Sequence, residues 1–474
     1  MKVLLFLPEI FMLLGILVLF HLSVAGADGG RARLAALIFA AGTAVLSLLC
    51  LGQQGTILFG AYQVDLFSQV IKVILSLGLT AVLLIGRELK DIRNEIRPEY
   101  YMFMLGSVTG LMMLVSSAEL LTLFLALELS SYCLYMMVPM RDDSKGRRIQ
   151  MEAAVKYVVF GVVASGVMLF GMSYLFAMGG STHFVELIPV LSGMLDNPAV
   201  LAGIVMVMAG FFYKLAIFPF HFWVPDVYQG ASNETTAFIA SLPKITAAAM
   251  LIKVSSLAMP GNDLLVGGLM VLAVLSMFYG NLSALVQTDI KRMLGFSGIA
   301  HAGFILVGVL TLGEAGYSAA LYYATGYVVM SLACFLVICN ISQQGENVKI
   351  EDLSGLYKRA PLLALVLGVG MFALAGIPPF VGFMGKFLLL TSALAEGYLL
   401  LVILGAINTA IAIYYYLSVV RVAYTSEPEQ RPVISLNPTG KALGVVLIVI
   451  IIALGVLPGP ALDLAAAAVG SIIM

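Results

Sequence analysis

Six lysines stand inside long apolar runs of this 474-residue chain: Lys72, Lys156, Lys214, Lys244, Lys253 and Lys386. A charged group at the centre of a hydrocarbon layer costs about 2.5–3.5 kcal/mol on insertion scales, so six central cations would cost on the order of 15–20 kcal/mol. Position relieves some of them. Lys156 lies near one end of its run, and Lys253 and Lys72 lie nearer the opposite ends of theirs, so each can extend its stem to a polar boundary. Lys214, Lys244 and Lys386 have no such escape. Lys244 is nine residues into its run, about 13 Å along a helix and near the middle of a layer about 30 Å thick. Burial disfavours the cation, and an amine that can be neutral or charged near neutral pH is a proton carrier. One carboxylate matches them: Glu128, central in the run around Leu125-Ala126-Leu127-Glu128-Leu129. A carboxylate beside a lysine favours the ammonium, and withdrawing it favours the amine. Motion of Glu128 against Lys214 would therefore load and unload a proton; the plainer alternative is a fixed salt bridge.

Proline accompanies these lysines. Lys214 precedes Ile217-Phe218-Pro219-Phe220-His221, and Pro378-Pro379 precede Lys386. Proline removes a backbone donor and clashes with the preceding turn, so each helix should break or kink there. Lys244 has its own Pro243, which predicts a third break. Bare backbone groups at membrane depth are tolerated only inside protein or beside water, so each break predicts a hydrated pocket around its lysine. His301, central in its run, is a further relay candidate, the alternative being a hydrogen-bonded core histidine. Ser297, Tyr323 and Thr325 can fill gaps, and Lys156 and His221 complete the set of candidates.

The elements that position these residues are transmembrane helices. The chain is 61% hydrophobic and 11% charged, with mean hydropathy +1.05, whereas a soluble domain carries roughly 25% charged residues. This is the composition of an all-α polytopic membrane protein in a lipid bilayer. Apolar runs at 3–24, 34–51, 65–86, 100–117, 119–138, 152–177, 200–222, 235–258, 263–283, 291–311, 316–341, 360–395, 399–424 and 441–459 make about fourteen spans. The run 360–395 is too long for one straight span and contains Gly376-Ile377-Pro378-Pro379, so it reads as two half-helices. The stretch from Gly459 is too short to cross again. Glu9 inside the first run, with no small-residue cleavage site after it, makes residues 1–20 a span rather than a removable leader. The net charge of −1 argues against nucleic acid as a partner. The four cysteines lie in apolar stretches without a CxxC pair and read as small buried hydrophobes. There is no iron–sulfur, GxGxxG or P-loop motif, so no cofactor or metal site is expected in this chain. Any electron transfer belongs to another chain.

Charge tests the span count. Numbering the loops between spans, the odd ones hold Arg31 and Arg33; Arg87, Lys90, Arg93 and Arg97; Arg141, Lys145, Arg147 and Arg148; Lys291 and Arg292; Lys349, Lys358 and Arg359; Arg421, Arg431 and Lys441. That is 18 of the 25 basic residues, while the even loops hold none and only Lys2 lies on the other side. The positive-inside rule then places both termini outside and the odd loops in the cytoplasm. The predicted localisation is a bacterial-type inner (plasma) membrane.

Spans four to eight and nine to thirteen form two sets of five, with the broken helix fourth in each. Pro219 and Pro379 are 160 residues apart, about the offset between the sets. An odd number of spans per set forces opposite orientation, the inverted repeat of transporters whose sites lie at interrupted helices near the midplane. The predicted division is a three-helix segment 1–99, a first repeat 100–258, a second repeat 259–424 and a C-terminal helix and tail 425–474. Lys244 then lies between the two half-channels.

The stretch Tyr213-Lys214-Leu215-Ala216-Ile217-Phe218-Pro219-Phe220-His221-Phe222-Trp223-Val224-Pro225-Asp226-Val227-Tyr228-Gln229-Gly230 resembles the hallmark of the antiporter-like membrane subunits of proton-pumping NADH-quinone oxidoreductase, respiratory complex I. Asp-Val-Tyr-Gln-Gly resembles subunit N in particular, as do Leu7-Pro8-Glu9-Ile10, Lys291-Arg292-Met293-Leu294-Gly295-Phe296-Ser297 and Ala375-Gly376-Ile377-Pro378-Pro379. The similarity covers nearly the whole chain. It implies that Glu128, Lys214, Lys244 and Lys386 are the glutamate of the fifth helix and the lysines of the seventh, eighth and twelfth. It implies that quinone reduction elsewhere in the complex drives proton transfer here, with NADH, flavin, iron–sulfur clusters and quinone bound by partner subunits. The partners implied are the other membrane-arm subunits, neighbouring antiporter-like chains included. The chain departs from the common Gly-Ala-Pro after Tyr-Gln, reading Gly230-Ala231-Ser232, on a loop away from the relay. It also lacks the long lateral C-terminal helix of the L-type subunit. The competing readings are a subunit of a multi-component sodium/proton antiporter, whose chains share the repeat, and a membrane subunit of a ferredoxin- or hydrogenase-linked relative.

Overall fold

The computed structural model describes residues 2–86, 88–142, 148–258, 262–425, 427, 431 and 433–472. Arg87, Lys145 and Arg147 of the charge pattern lie outside them. The chain folds into nineteen helices among the described residues and one short hairpin. In order the helices are α1 (Leu7–Val24), α2 (Gly29–Leu49), α3 (Leu66–Ile85), α4 (Arg97–Val115), α5 (Leu120–Met137), α6 (Ile149–Gly179), α7 (Phe184–Ser192), α8 (Pro198–Leu215), α9 (Val224–Gly230) and α10 (Asn233–Ser255). Then come α11 (Asp263–Ala284), α12 (Ile290–Val309), α13 (Glu314–Ile341), α14 (Leu356–Arg359), α15 (Pro361–Ala375), α16 (Val381–Ala395), α17 (Leu399–Thr425), α18 (Pro438–Val456) and α19 (Gly459–Gly470). Strands β1 (Gly55–Ile57) and β2 (Tyr62–Val64) pair antiparallel between α2 and α3.

Twelve of these helices are long and apolar enough to cross a membrane. Adding α4 and the broken pair α15–α16 gives the fourteen crossings expected from the sequence. The short tail helix α19 packs on α13 and α3. Helix α10 occupies the centre, against α3, α4, α8, α12 and α13, and its most apolar stretch is wholly buried. Asp65 and Asp289 start α3 and α12 by accepting from Ser68 N and Arg292 N, the side-chain capping that leading backbone N–H groups require.

The breaks expected at Pro219 and at Pro378-Pro379 occur, and they are built alike. Helix α8 ends with Ala216 at φ +71, and α15 ends with Gly376 at φ +85. Ile217 N donates to Phe212 O at 2.8 Å, and Ile377 N to Phe372 O at 3.1 Å, the closing bond of a Schellman motif. Phe212 packs on Phe220 and Phe372 on Phe380, each with ring centroids 6.3 Å apart. Every one of these pairs is offset by 160 residues. A second likeness has an offset of 170. An added Cβ on Gly110 would come within 2.6 Å of Ser130 N, and one on Gly280 within 2.6 Å of Ala300 N. The crossings of α4 on α5 and of α11 on α12 are thus both backbone to backbone. Residues 118 and 120 pair with 184 and 182, as 288 and 290 pair with 350 and 348.

Pro243 does not break its helix; α10 runs through it from Asn233 to Ser255. One missing donor removes one bond, and dense packing on every side holds the turn straight. Lys72 and Lys253 depart from expectation too. Neither extends to a polar boundary: Lys72 is 0% exposed and Lys253 is 8%.

A methyl group on Gly382 would run into Ala373 O across the α15–α16 turn. Gly382→Ala should therefore destabilise the break by about 1–3 kcal/mol, as overpacking does. The measurement is the thermal midpoint of the detergent-solubilised complex, which is expected to fall.

Candidate functional site

Lys214 sits in the last turn of α8, at the first break. Its Nζ donates to Ser131 Oγ at 3.0 Å, Ser130 Oγ at 3.2 Å and Leu127 O at 3.5 Å. All three acceptors belong to α5. Glu128, between them in sequence, turns to α6 and accepts a hydrogen bond from Ser165. Among the described residues no ion pair within 4.0 Å joins Glu128 to Lys214. The two serine hydroxyls can accept from an ammonium or donate to an amine, so the cradle accommodates either form of the lysine.

Lys244 points from α10 toward the second half of the chain. Its Nζ lies 3.3 Å from Tyr327 Oη and over the rings of Tyr327 and Tyr228, 5.1 and 5.7 Å from their centroids. The ammonium occupies the notch left by Gly298, where any Cβ would meet it. The Tyr327 ring in turn lies tilted against His301, with centroids 5.0 Å apart. His301 Nδ1 lies 2.5 Å from Tyr323 Oη, and Nε2 lies 3.0 Å from Tyr416 Oη. Tyr323 packs against Gly385, the residue before Lys386.

Lys386 follows the second break. Its Nζ donates to Leu374 O at 3.2 Å and Ala375 O at 3.1 Å, and lies 5.0 Å from the centroid of the Phe304 ring. These are the last carbonyls of α15, which the helix itself leaves without partners. The lysine thus caps the negative end of that helix. Lys244, Tyr327, His301, Tyr323 and Lys386 form one succession along α10, α13, α12 and α16, with Ser297 on the same α12. Thr325 is not part of it; it donates to Leu321 O and faces a cavity lined by Leu48, Tyr322 and Leu454.

His221, in the first break, is buried among the rings of Phe218, Phe222 and Tyr279, and neither ring nitrogen has a protein partner. Lys156 is partly exposed and bonds Asp226 at 2.6 Å and Glu152 at 2.7 Å. Asp226 also binds Arg292 at 2.8 Å. Next to it, Arg141 bonds Asp91 at 3.0 Å and donates to Gln229 O and Gly345 O, and Lys291 donates to Ala231 O at 2.8 Å. The Asp-Val-Tyr-Gln-Gly segment is therefore a hub that gathers cations from α6, α12 and the loop between α5 and α6. Burial raises Asp91 above the ordinary carboxylate range despite Arg141.

A second buried ionic group escaped the sequence reading. Glu9 of α1 and Lys72 of α3 form an ion pair at 2.8 Å, both 0% exposed, with Tyr62 bonded to each. The available signal was one acid in the first span and one base in the third. Among the described residues no group of three His, Cys, Asp or Glu could hold a metal ion.

A sequence profile of the transmembrane family described as NADH:quinone oxidoreductase/Mrp antiporter matches residues 117–412. The chain is 50% identical over 459 residues to NADH-quinone oxidoreductase subunit N 2 of Opitutus terrae, covering 97% of this chain and 96% of that protein. The chain belongs to the NADH-quinone oxidoreductase subunit N family. The protein of the same name from Syntrophobacter fumaroxidans is 43% identical, with 98% of each chain covered. A chain of respiratory complex I from Thermus thermophilus with bound aureothin has a TM-score of 0.85 at 31% identity, covering 97% of this chain and 99% of that one. A chain of the Mrp complex from Dietzia sp. shares the fold, with a TM-score of 0.88 at 18% identity and coverage of 100% and 98%. In this subunit N chain the profile match spans Glu128, Lys214, Lys244, His301 and Lys386, and leaves out Glu9, Tyr62 and Lys72.

Burial alone would raise Asp226, but the bonds from Lys156 and Arg292 outweigh it and hold the carboxyl below its ordinary value of 3.8. A depressed value stabilises the fold at pH above the unfolded value and loses that stabilisation as pH falls through the folded one. Asp226→Asn should cost about 1 kcal/mol near neutral pH. Its deficit in thermal midpoint against the parent should close as the pH drops below about 4.

Proposed function

We propose that this chain is a proton-translocating membrane subunit of an NADH-quinone oxidoreductase, and that Glu128, Lys214, Lys244 and Lys386 carry protons between the two halves of the membrane. The single observation behind the relay is the succession Lys244–Tyr327–His301–Tyr323–Lys386, in which every member can give and take a proton. The two five-helix repeats, 100–258 and 259–424, act as half-channels joined at Lys244. The three-helix segment 1–99 and the C-terminal part 425–474 flank them. Loading begins at Lys214, whose hydroxyl cradle accepts either protonation state. Glu128 favours the ammonium when it swings from Ser165 toward Lys214 and favours the amine when it returns. Lys386 is the relay opposite Lys214, where the α15 carbonyls favour the cation until a neighbouring charge arrives. His301 relays from α12 between Lys244 and Lys386, His221 relays within the first break, and Lys156 anchors the hub at Asp226.

The electrons for this work come from partners. Relatives that cover nearly the full chain are subunit N of a quinone-reducing complex, so NADH, flavin, iron–sulfur clusters and quinone belong to other subunits. The neighbours in the membrane are further antiporter-like chains of the membrane arm. The proposed location is a bacterial-type inner membrane, with both termini outside and the basic loops within, a placement that the charge asymmetry supports.

Two experiments test the reading. The purified chain alone should oxidise no NADH and bind no flavin or iron in stoichiometric amount. In the whole complex, Lys214→Ala or Glu128→Ala should remove most proton translocation with assembly intact. Lys386→Arg keeps the charge but does not release a proton, so it too should pump poorly. Pumping into sealed vesicles is read with a pH-sensitive dye, and assembly on native gels. Full pumping by an assembled Lys386→Arg complex would count against titration at this lysine.

A further inference from the structure

Two of the six lysines, Lys72 and Lys253, have no part in the relay just described, yet both are buried. They approach the same strip of backbone. Lys253 Nζ donates to Ser117 O at 2.6 Å in the α4–α5 turn. Ser117 pairs antiparallel with Tyr62 of β2, with Gln63 N on Ser116 O at 2.7 Å and Ala118 N on Ala61 O at 2.9 Å. Tyr62 Oη donates to Glu9 Oε1 at 2.7 Å and accepts from Lys72 Nζ at 3.1 Å. Asp65, Ser68, Gln69, Lys72 and Ser76 follow helical spacing and share one face of α3, all of them buried. Asp65 and Lys72 are also the charged groups that act on Lys253.

This cluster holds more polar atoms than it satisfies. Glu9 Oε2, Asp65 Oδ2 and both polar atoms of the Gln69 amide have no hydrogen-bond partner among the protein atoms. A buried ion pair that served only to hold helices together would be matched or bettered by apolar residues of the same volume. Buried polar atoms in excess of their protein partners are satisfied by bound water.

We propose that Glu9, Tyr62 and Lys72, with Asp65, Gln69 and Lys253 beside them, form a hydrated proton-holding site between α1, α3 and α10, whose ligand is water carrying an excess proton. The site rests on the proton-translocating reading above and adds a release station on the side of the membrane that bears the N terminus. Lys253 connects it to the relay, nine residues beyond Lys244 on the same helix, about 13 Å along its axis. In the resting cluster Glu9 is a carboxylate and Lys72 an ammonium. An arriving proton adds to Glu9, giving a neutral carboxylic acid beside the ammonium. Loss of that proton to water restores the pair, and only O–H and N–H bonds change.

The test uses the whole complex in sealed vesicles, with protons translocated per NADH oxidised as the readout. The double variant Glu9→Gln/Lys72→Met removes both charges and keeps the volume, and Lys244→Ala serves as the reference for the relay. Loss of most pumping in an assembled double variant supports the site. Full pumping in it overturns the site. If Lys244→Ala still abolishes pumping in that case, the relay stands without the release station; if both variants pump fully, the relay itself falls. Should the double variant fail to assemble, Gln69→Leu replaces an amide that has no protein partner. Reduced pumping in that variant supports a hydrated site, and unchanged pumping rejects it.

Discussion

Inside a bilayer no solvent is at hand to satisfy a bare carbonyl or an isolated charge, and this condition governs the whole molecule. Each interrupted helix exposes backbone that something must meet. At the second break the ammonium of Lys386 meets the terminal carbonyls of α15, so two liabilities cancel. At the first break the order along the chain is reversed, because Lys214 comes before the interruption rather than after it. There the lysine turns to serine hydroxyls and one carbonyl on α5, and the interruption itself is filled by the aromatic packing around His221.

The two halves are therefore alike in backbone and unlike in chemistry. The Schellman closures, the phenylalanine pairs and the close glycine crossings recur at fixed offsets. The groups around each amine do not recur. Serine hydroxyls can meet either form of an amine, whereas the two helix-end carbonyls at Lys386 prefer the cation. Similar scaffolds thus surround the two amines with different hydrogen-bonding groups.

Much of this was legible in the residues. Long apolar runs and the one-sided placement of arginine and lysine defined the crossings, because hydrophobic length and loop charge are properties of segments. Pro219 and Pro378-Pro379 marked real interruptions. Pro243 did not, since a proline inside a helix packed on all sides costs one bond and no continuity, and packing cannot be seen along a single segment. For the same reason Lys72 and Lys253 looked able to reach a boundary: the sequence shows distance to the end of a helix but not that a hairpin and a turn close over that end. Glu128 was legible as a buried acid near Lys214 in kind, though not that its rotamer turns to Ser165.

The seven-residue helix α9 touches two worlds at once. Its Asp226 holds the surface cations Lys156 and Arg292, and two residues later the ring of Tyr228 lies under the ammonium of Lys244. Asp226 and Tyr228 therefore stand on one short rigid element, so the ion cluster held at Asp226 fixes where the aromatic face beside Lys244 stands.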